Sequence, residues 1–116
     1  MNAKTADLCW VYMTTSSQEE ARQIGRALVE EHLAACTNII SPMTSFYWWK
    51  GTLEEGKEAV LLAKTSQARL AALTERVKAL HSYECPCVVA LPILGGNVDY
   101  LSWLASESGE SGETGE

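Results

Sequence analysis

Residues 36 to 66, CTNIISPMTSFYWWKGTLEEGKEAVLLAKTS, constrain the fold more than any other stretch of this chain. They read as two extended arms joined at Lys50-Gly51. Each arm is roughly 14 residues, so at about 3.3 Å per residue it spans roughly 45 Å. A globule of about 100 residues has a radius of gyration near 13 Å. The hairpin therefore outreaches the body that one such chain can build. Neighbouring strand residues face opposite ways, which puts Phe46 and Trp48 on one face and Tyr47 and Trp49 on the other. Large aromatics on both faces of a projecting ribbon need cover. The simplest cover is another copy of the same chain.

The segments around the hairpin set its frame. Leu8 to Thr15 (LCWVYMTT) is rich in β-formers and predicts a strand. Ser17, three positions before Glu20, has the spacing of a capping box. Ala21, Ile24 and Leu28 follow at helical spacing, predicting a helix over 18–34. Pro42 removes a ladder donor from the first arm and implies an edge, bend or bulge. Leu70, Leu73, Val77 and Leu80 mark a second helix over about 67–81. CVVALPIL (87–94) reads as a fourth strand, and NVDYLSWLA (97–105) as a short closing helix. The order βαββαβ plus a short helix is the split-βαβ, ferredoxin-like α+β arrangement: one antiparallel sheet with two helices on one face. Such a fold hosts many functions and names none.

This organisation gives a flexible N-terminus over 1–7, one domain over 8–105 and a Gly/Ser/Glu tail over 106–116 that is expected to be disordered. Four glutamates of that tail (Glu107, Glu110, Glu113, Glu116) supply most of the net charge of −6. The body is close to neutral and shows no basic patch, so no nucleic-acid partner is expected. No apolar run approaches the roughly 20 residues of a membrane span. The first residues, MNAKTADLCW, lack the apolar centre of a secretory signal, which predicts a cytoplasmic protein. Cys9, Cys36, Cys85 and Cys87 are then expected as free thiols or metal ligands rather than disulfides.

The stretches ALVEEHLAACTNII (27–40), TSFYWWKGTLEE (44–55), LLAKTS (61–66), LHSYECP (80–86) and DYLSWL (99–104), in this order and spacing, resemble the CutA family of divalent-cation tolerance proteins. The resemblance runs from about Val11 to Leu104. It implies a ferredoxin-like protomer, a tight homotrimer, a fold-level likeness to PII signalling proteins and a role tied to copper or other divalent metals. The trimer would cover the long hairpin. Two positions depart from the family pattern. His81-Ser82-Tyr83 stands where His-Pro-Tyr is usual, and Cys87 stands where an acidic residue is usual.

The best metal-like cluster in the sequence is His81, Cys85 and Cys87. Two thiols two residues apart and an imidazole four residues upstream suit Cu(I) or Zn(II). The competing reading has one cysteine packing as a small apolar residue and His81 capping the second helix. Met13 sits where some relatives carry a soft ligand, although a strand methionine commonly belongs to a core. Cys36, at the helix-to-strand junction, reads as core. Glu58, Lys64 and Glu84 either line a cleft between protomers that holds a polar ligand or form structural ion pairs. Trp49, Tyr83, Tyr100 and Trp103 either stack on that ligand or belong to an interface. No nucleophile–base pair and no phosphate loop is visible, so no enzymatic activity is expected. The expected function is metal-ion binding, copper above all, in metal tolerance. The alternative is a PII-like trimer that binds a small molecule.

Overall fold

The computed structural model describes residues 7–108. Strand β1 spans Leu8–Thr15, helix α1 Gln18–Glu30, strands β2 and β3 Cys36–Trp49 and Thr52–Ser66. A 3-10 turn at Gln67–Arg69 leads into helix α2, Leu70–Leu80; strand β4, Val88–Pro92, and helix α3, Val98–Glu107, follow among the described residues. The four strands form one antiparallel sheet in the order β2-β3-β1-β4. The expected α+β, ferredoxin-like architecture is present.

Alternation along β1 builds the core. Cys9, Val11 and Met13 face the helices and are fully buried with Leu61 and Ala63 of β3, Ala21, Ile24 and Leu28 of α1, and Leu73 and Val77 of α2. Gly25 lets α1 approach the sheet closely. A Cβ there would stand 3.0 Å from Leu61 and 3.1 Å from the Thr37 hydroxyl. A smaller cluster, Leu8 with Leu101 and Leu104, seats α3 at the start of β1.

The ends of the elements follow local chemistry. The Ser17 hydroxyl accepts the Glu20 N–H at 3.1 Å, as a capping box requires. The return leg lands one residue earlier, on Ser16. Helix α1 ends at Glu30, short of the expected 34, because His32 takes a positive φ of 58°. The Leu33 N–H then bonds the Leu28 carbonyl at 2.9 Å, a Schellman closure. At the hairpin tip Lys50 and Gly51 both have positive φ, 51° and 83°. That is the two-residue turn whose twist matches antiparallel strands, and glycine adopts it freely.

The ribbon projects as its length demands. β1 pairs with β3 only over Ala59–Ser66, so Met43–Trp49 and Thr52–Glu58 pair with each other alone. The described molecule measures 49 × 25 × 22 Å. The register shifts between Ile40 and Met43, at Pro42, where a bulge or bend was expected. Phe46, Trp48 and Leu53 on the ribbon are 67%, 72% and 58% exposed. Ile40, Val89 and Leu91, on the sheet face away from α1 and α2, are exposed as well.

Two boundaries shift. β4 begins at Val88 rather than Cys87, and α3 continues through Ser106 and Glu107, which were expected in the tail. The buried Ser108 ends the helix, its hydroxyl donating to the Leu104 carbonyl at 2.6 Å. The remaining tail and residues 1–6 lie outside the described residues. Truncation after Ser108 is expected to leave the melting temperature unchanged. Truncation after Ala105 removes the last turn over Leu104 and should lower it by several degrees in calorimetry, as a loss of about 1 kcal/mol does in a domain of this size.

Candidate functional site

The polar residues gather where the α2–β4 loop, residues 81–87, crosses the end of β1 and the base of the ribbon. His81 ends α2 with an extended backbone, which turns its ring inward. The side chain is wholly out of solvent. Its Nε2 lies 2.8 Å from the Thr14 carbonyl, which can only accept, so Nε2 carries the proton. Its Nδ1 accepts the Tyr83 N–H at 3.1 Å. The ring is thus a neutral imidazole with both nitrogens engaged by backbone. Of the expected metal cluster, His81 is turned into the core, with the lone pair on Nδ1 facing the Tyr83 N–H and Nε2 facing the Thr14 carbonyl.

Tyr83 continues the chain of contacts. Its phenol donates to Glu58 Oε2 at 2.7 Å, and Ser45 donates to Glu58 Oε1 at 2.6 Å. Burial, and then the Glu58 carboxylate, push the Tyr83 phenol well above its ordinary range. The phenol therefore stays protonated and the clasp persists at neutral pH. On the other side Glu20 reaches from α1. Its Oε2 accepts the Ser82 N–H at 2.7 Å and lies 3.7 Å from His81 Nδ1, while Oε1 accepts the amide and hydroxyl of Ser16. Burial pushes the Glu20 carboxyl up, but the hydrogen bonds from Ser16 and Ser82 outweigh it and bring it to about 2.

That shift has a consequence for stability. A carboxyl depressed on folding contributes stability that is present above its unfolded value near 4.5 and lost as pH falls towards about 2. Glu20→Gln is therefore expected to lower the melting temperature at pH 7 and to differ far less from the parent near pH 2. An equal deficit at both pH values would show that the carboxylate charge contributes nothing.

The thiols lie further along the loop. Cys85 is exposed and Cys87 half-buried, both free, in the loop before β4 rather than on the strand. Burial, and then the nearby Glu58 charge, raise the Cys87 thiol. Met13, the other expected ligand, is fully buried in the main core. Among the described residues no group of three or more His, Cys, Asp and Glu side chains is placed to hold a metal. Of the expected cluster, Cys85 and Cys87 lie together in this loop, and His81 precedes them at the end of α2.

The expected cleft residues separate along the sheet. Tyr83 and Glu58 meet at the base of the ribbon. Lys64, six residues further along β3 and so about 20 Å away, donates to the Tyr100 hydroxyl at 3.0 Å and lies over its ring. The Tyr100 and Trp103 rings stand 5.5 Å apart on α3. Trp49 sits at the hairpin tip beneath Lys50, and Glu84 is exposed in the loop. Cys36 is half-buried at the start of β2, opposite Lys64. Sequence reasoning missed Thr14, Ser45 and Glu20 as parts of the cluster. Glu20 was visible only as a helix cap, because its partner Ser82 is 62 residues away.

Comparison with known proteins places this arrangement. Residues 9–107 match the family model described as CutA1 divalent ion tolerance protein. The chain is 52% identical over 99 residues to the divalent-cation tolerance protein CutA of Thermus thermophilus, covering 85% of this chain and 96% of that protein. It is 45% identical over 101 residues to the chloroplastic Protein CutA 1 of Oryza sativa, covering 87% of this chain and 57% of that longer one. Among solved structures it superposes on the periplasmic divalent cation tolerance protein CutA of Archaeoglobus fulgidus with a TM-score of 0.84 and 40% identity, covering 87% of this chain and 98% of that one. With the match spanning both sheet and helices and the identity this high, the chain belongs to the CutA1 divalent ion tolerance protein family.

Proposed function

We propose that this protein is a cytoplasmic homotrimer that takes up soft transition-metal ions, copper above all, on Cys85 and Cys87, and so contributes to divalent-cation tolerance without catalysing a reaction. The observation that carries the reading is the pair of free thiols, two residues apart, in the loop beside Glu58. Thiolates select Cu(I) over harder ions. Further donors would come from a neighbouring protomer or a cellular thiol. Free cysteines, one of them exposed, suit a reducing compartment. Among the described residues no helix is long and apolar enough to cross a membrane. The exposed aromatics of the ribbon and the uncovered apolar strand face supply the surface for two further copies.

Cu(I) titration of the purified full chain tests the site. Cys87 must lose a proton to bind, so affinity should rise with pH. Cys85→Ser/Cys87→Ser should abolish most of the affinity and leave the oligomer intact. Unchanged stoichiometry and affinity in that variant would sink the thiol site. The reading would then pass to a PII-like trimer with a small molecule beside Lys64, Tyr100 and Trp103, where a cation and two aromatic faces stand together.

A further inference from the structure

The loop over residues 81–87 is tied down at three points, and one tie depends on a proton. Ser82 N–H bonds Glu20, and Tyr83 OH bonds Glu58. The third tie, Tyr83 N–H to His81 Nδ1, exists only while Nδ1 carries a lone pair. Histidine is the side chain whose charge commonly changes between about pH 5 and 8. Protonation would place an N–H of the ring against the N–H of Tyr83, two donors face to face. The same proton would meet Glu20 Oε2, now 3.7 Å from Nδ1. We propose that His81 is a proton-operated latch of this loop: the neutral ring holds the Tyr83 backbone, and the protonated ring turns to Glu20 and lets that backbone go.

The neighbours of the ring fit such a switch. Nε2 stays bonded to the Thr14 carbonyl of β1 in either state, so the ring pivots about a fixed point instead of leaving the core. From α1 the facing charge is Glu20, which is ionised throughout the range in which a histidine titrates. From its own loop the facing group is the Tyr83 phenol, whose ring centroid is 4.6 Å from that of His81. Behind it, from β3, stands Glu58, bonded to that phenol. The opposing influence is burial, because the ring is wholly out of solvent and burial disfavours its charged form. The Glu20 carboxylate, 3.7 Å from Nδ1, acts against that cost. Release of the Tyr83 backbone loosens the stretch that leads to Cys85 and Cys87, with the Ser82 N–H on Glu20 and the Tyr83 OH on Glu58 as the remaining tethers. The latch needs no metal and stands whether or not those thiols bind one.

Solution NMR of the full, metal-free chain between pH 8 and 5 tests it. The expected result has three parts. At pH 8 the ring nitrogen shifts identify the neutral form with the proton on Nε2. As pH falls, Nδ1 protonation and the Tyr83 amide shift proceed with one midpoint, while the Ser82 amide, held by Glu20, moves little. Tyr83 amide exchange, corrected for the intrinsic pH dependence, accelerates at least tenfold across that midpoint. Glu20→Gln removes the anion to which the protonated ring turns, so the Tyr83 amide should respond only at lower pH than in the parent. His81→Asn offers Tyr83 an acceptor that does not titrate, and should make the Tyr83 amide insensitive to pH. A Tyr83 amide that ignores His81 titration, a ring that stays neutral to pH 5, or an unchanged response in His81→Asn would each overturn the proposal.

Discussion

Phe46→Glu combined with Trp48→Glu is expected to turn the proposed trimer into a monomer that melts well below the parent. Both side chains lie mostly in solvent in the single protomer, and Leu53, paired with Trp48 across the ribbon, is exposed beside them. Because they contribute nothing to the protomer's own core, charging them should leave that core intact and act only on assembly. Each large apolar side chain buried at a contact stabilises it by about 1.5–3 kcal/mol. Losing two per protomer weakens each contact by more than about a hundredfold even before the burial of the new charges is counted. The parent's melting point should rise with protein concentration, because dissociation accompanies unfolding. The variant's should not. Sedimentation that finds the double variant trimeric with an unchanged melt would show that the ribbon is not the interface. A parent that is itself a folded monomer at micromolar concentration would remove the trimer altogether.

Replacing His81 with alanine separates a structural histidine from a ligand. The substitution leaves the Thr14 carbonyl and the Tyr83 N–H without their partners inside a buried site and opens a cavity in place of the ring. An orphaned buried polar group costs about 1–3 kcal/mol. With the cavity added, denaturant titration should report a loss of about 3–5 kcal/mol. Copper stoichiometry should not change, because neither ring nitrogen has a lone pair free for an ion. The opposite pattern, stability preserved and one bound ion lost, would restore His81 to the metal site and discard the hydrogen-bond assignment.

Much of this was legible before any coordinates. Period-two and helical spacing are local properties, so β1 was read to the residue, the hairpin turn was placed at Lys50-Gly51, and Pro42 marked the bulge. Helix ends were read less well. α1 stops at Glu30 because His32 adopts a left-handed conformation that glycine or asparagine would have advertised and histidine does not. α3 runs on to Glu107 because Ser108 is buried against Leu104, in a stretch whose composition resembles the tail.

The functional residues divide along the same line. That a cysteine pair and a histidine fall within seven positions is a property of the sequence, and so is the excess of aromatics on the ribbon. Which way the histidine points is not. His81 meets Thr14 across 67 residues, Tyr83 meets Glu58 across 25 and Ser82 meets Glu20 across 62, and these contacts exist only once β1, β3 and α1 have been brought together. A side chain next to two thiols in the chain is free to be their co-ligand or to be spent on the core. The need to satisfy a buried carbonyl at Thr14 and the amide of Tyr83 decided for the core. By itself the sequence determined the strands, the helices and the reach of the hairpin, because alternation and capping act between neighbours. Tertiary packing alone decided that His81 and Met13 are buried, that Tyr83 meets Glu58 at the base of the ribbon and that Lys64 meets Tyr100 further along β3, because burial and hydrogen-bond satisfaction are settled between residues far apart in the chain.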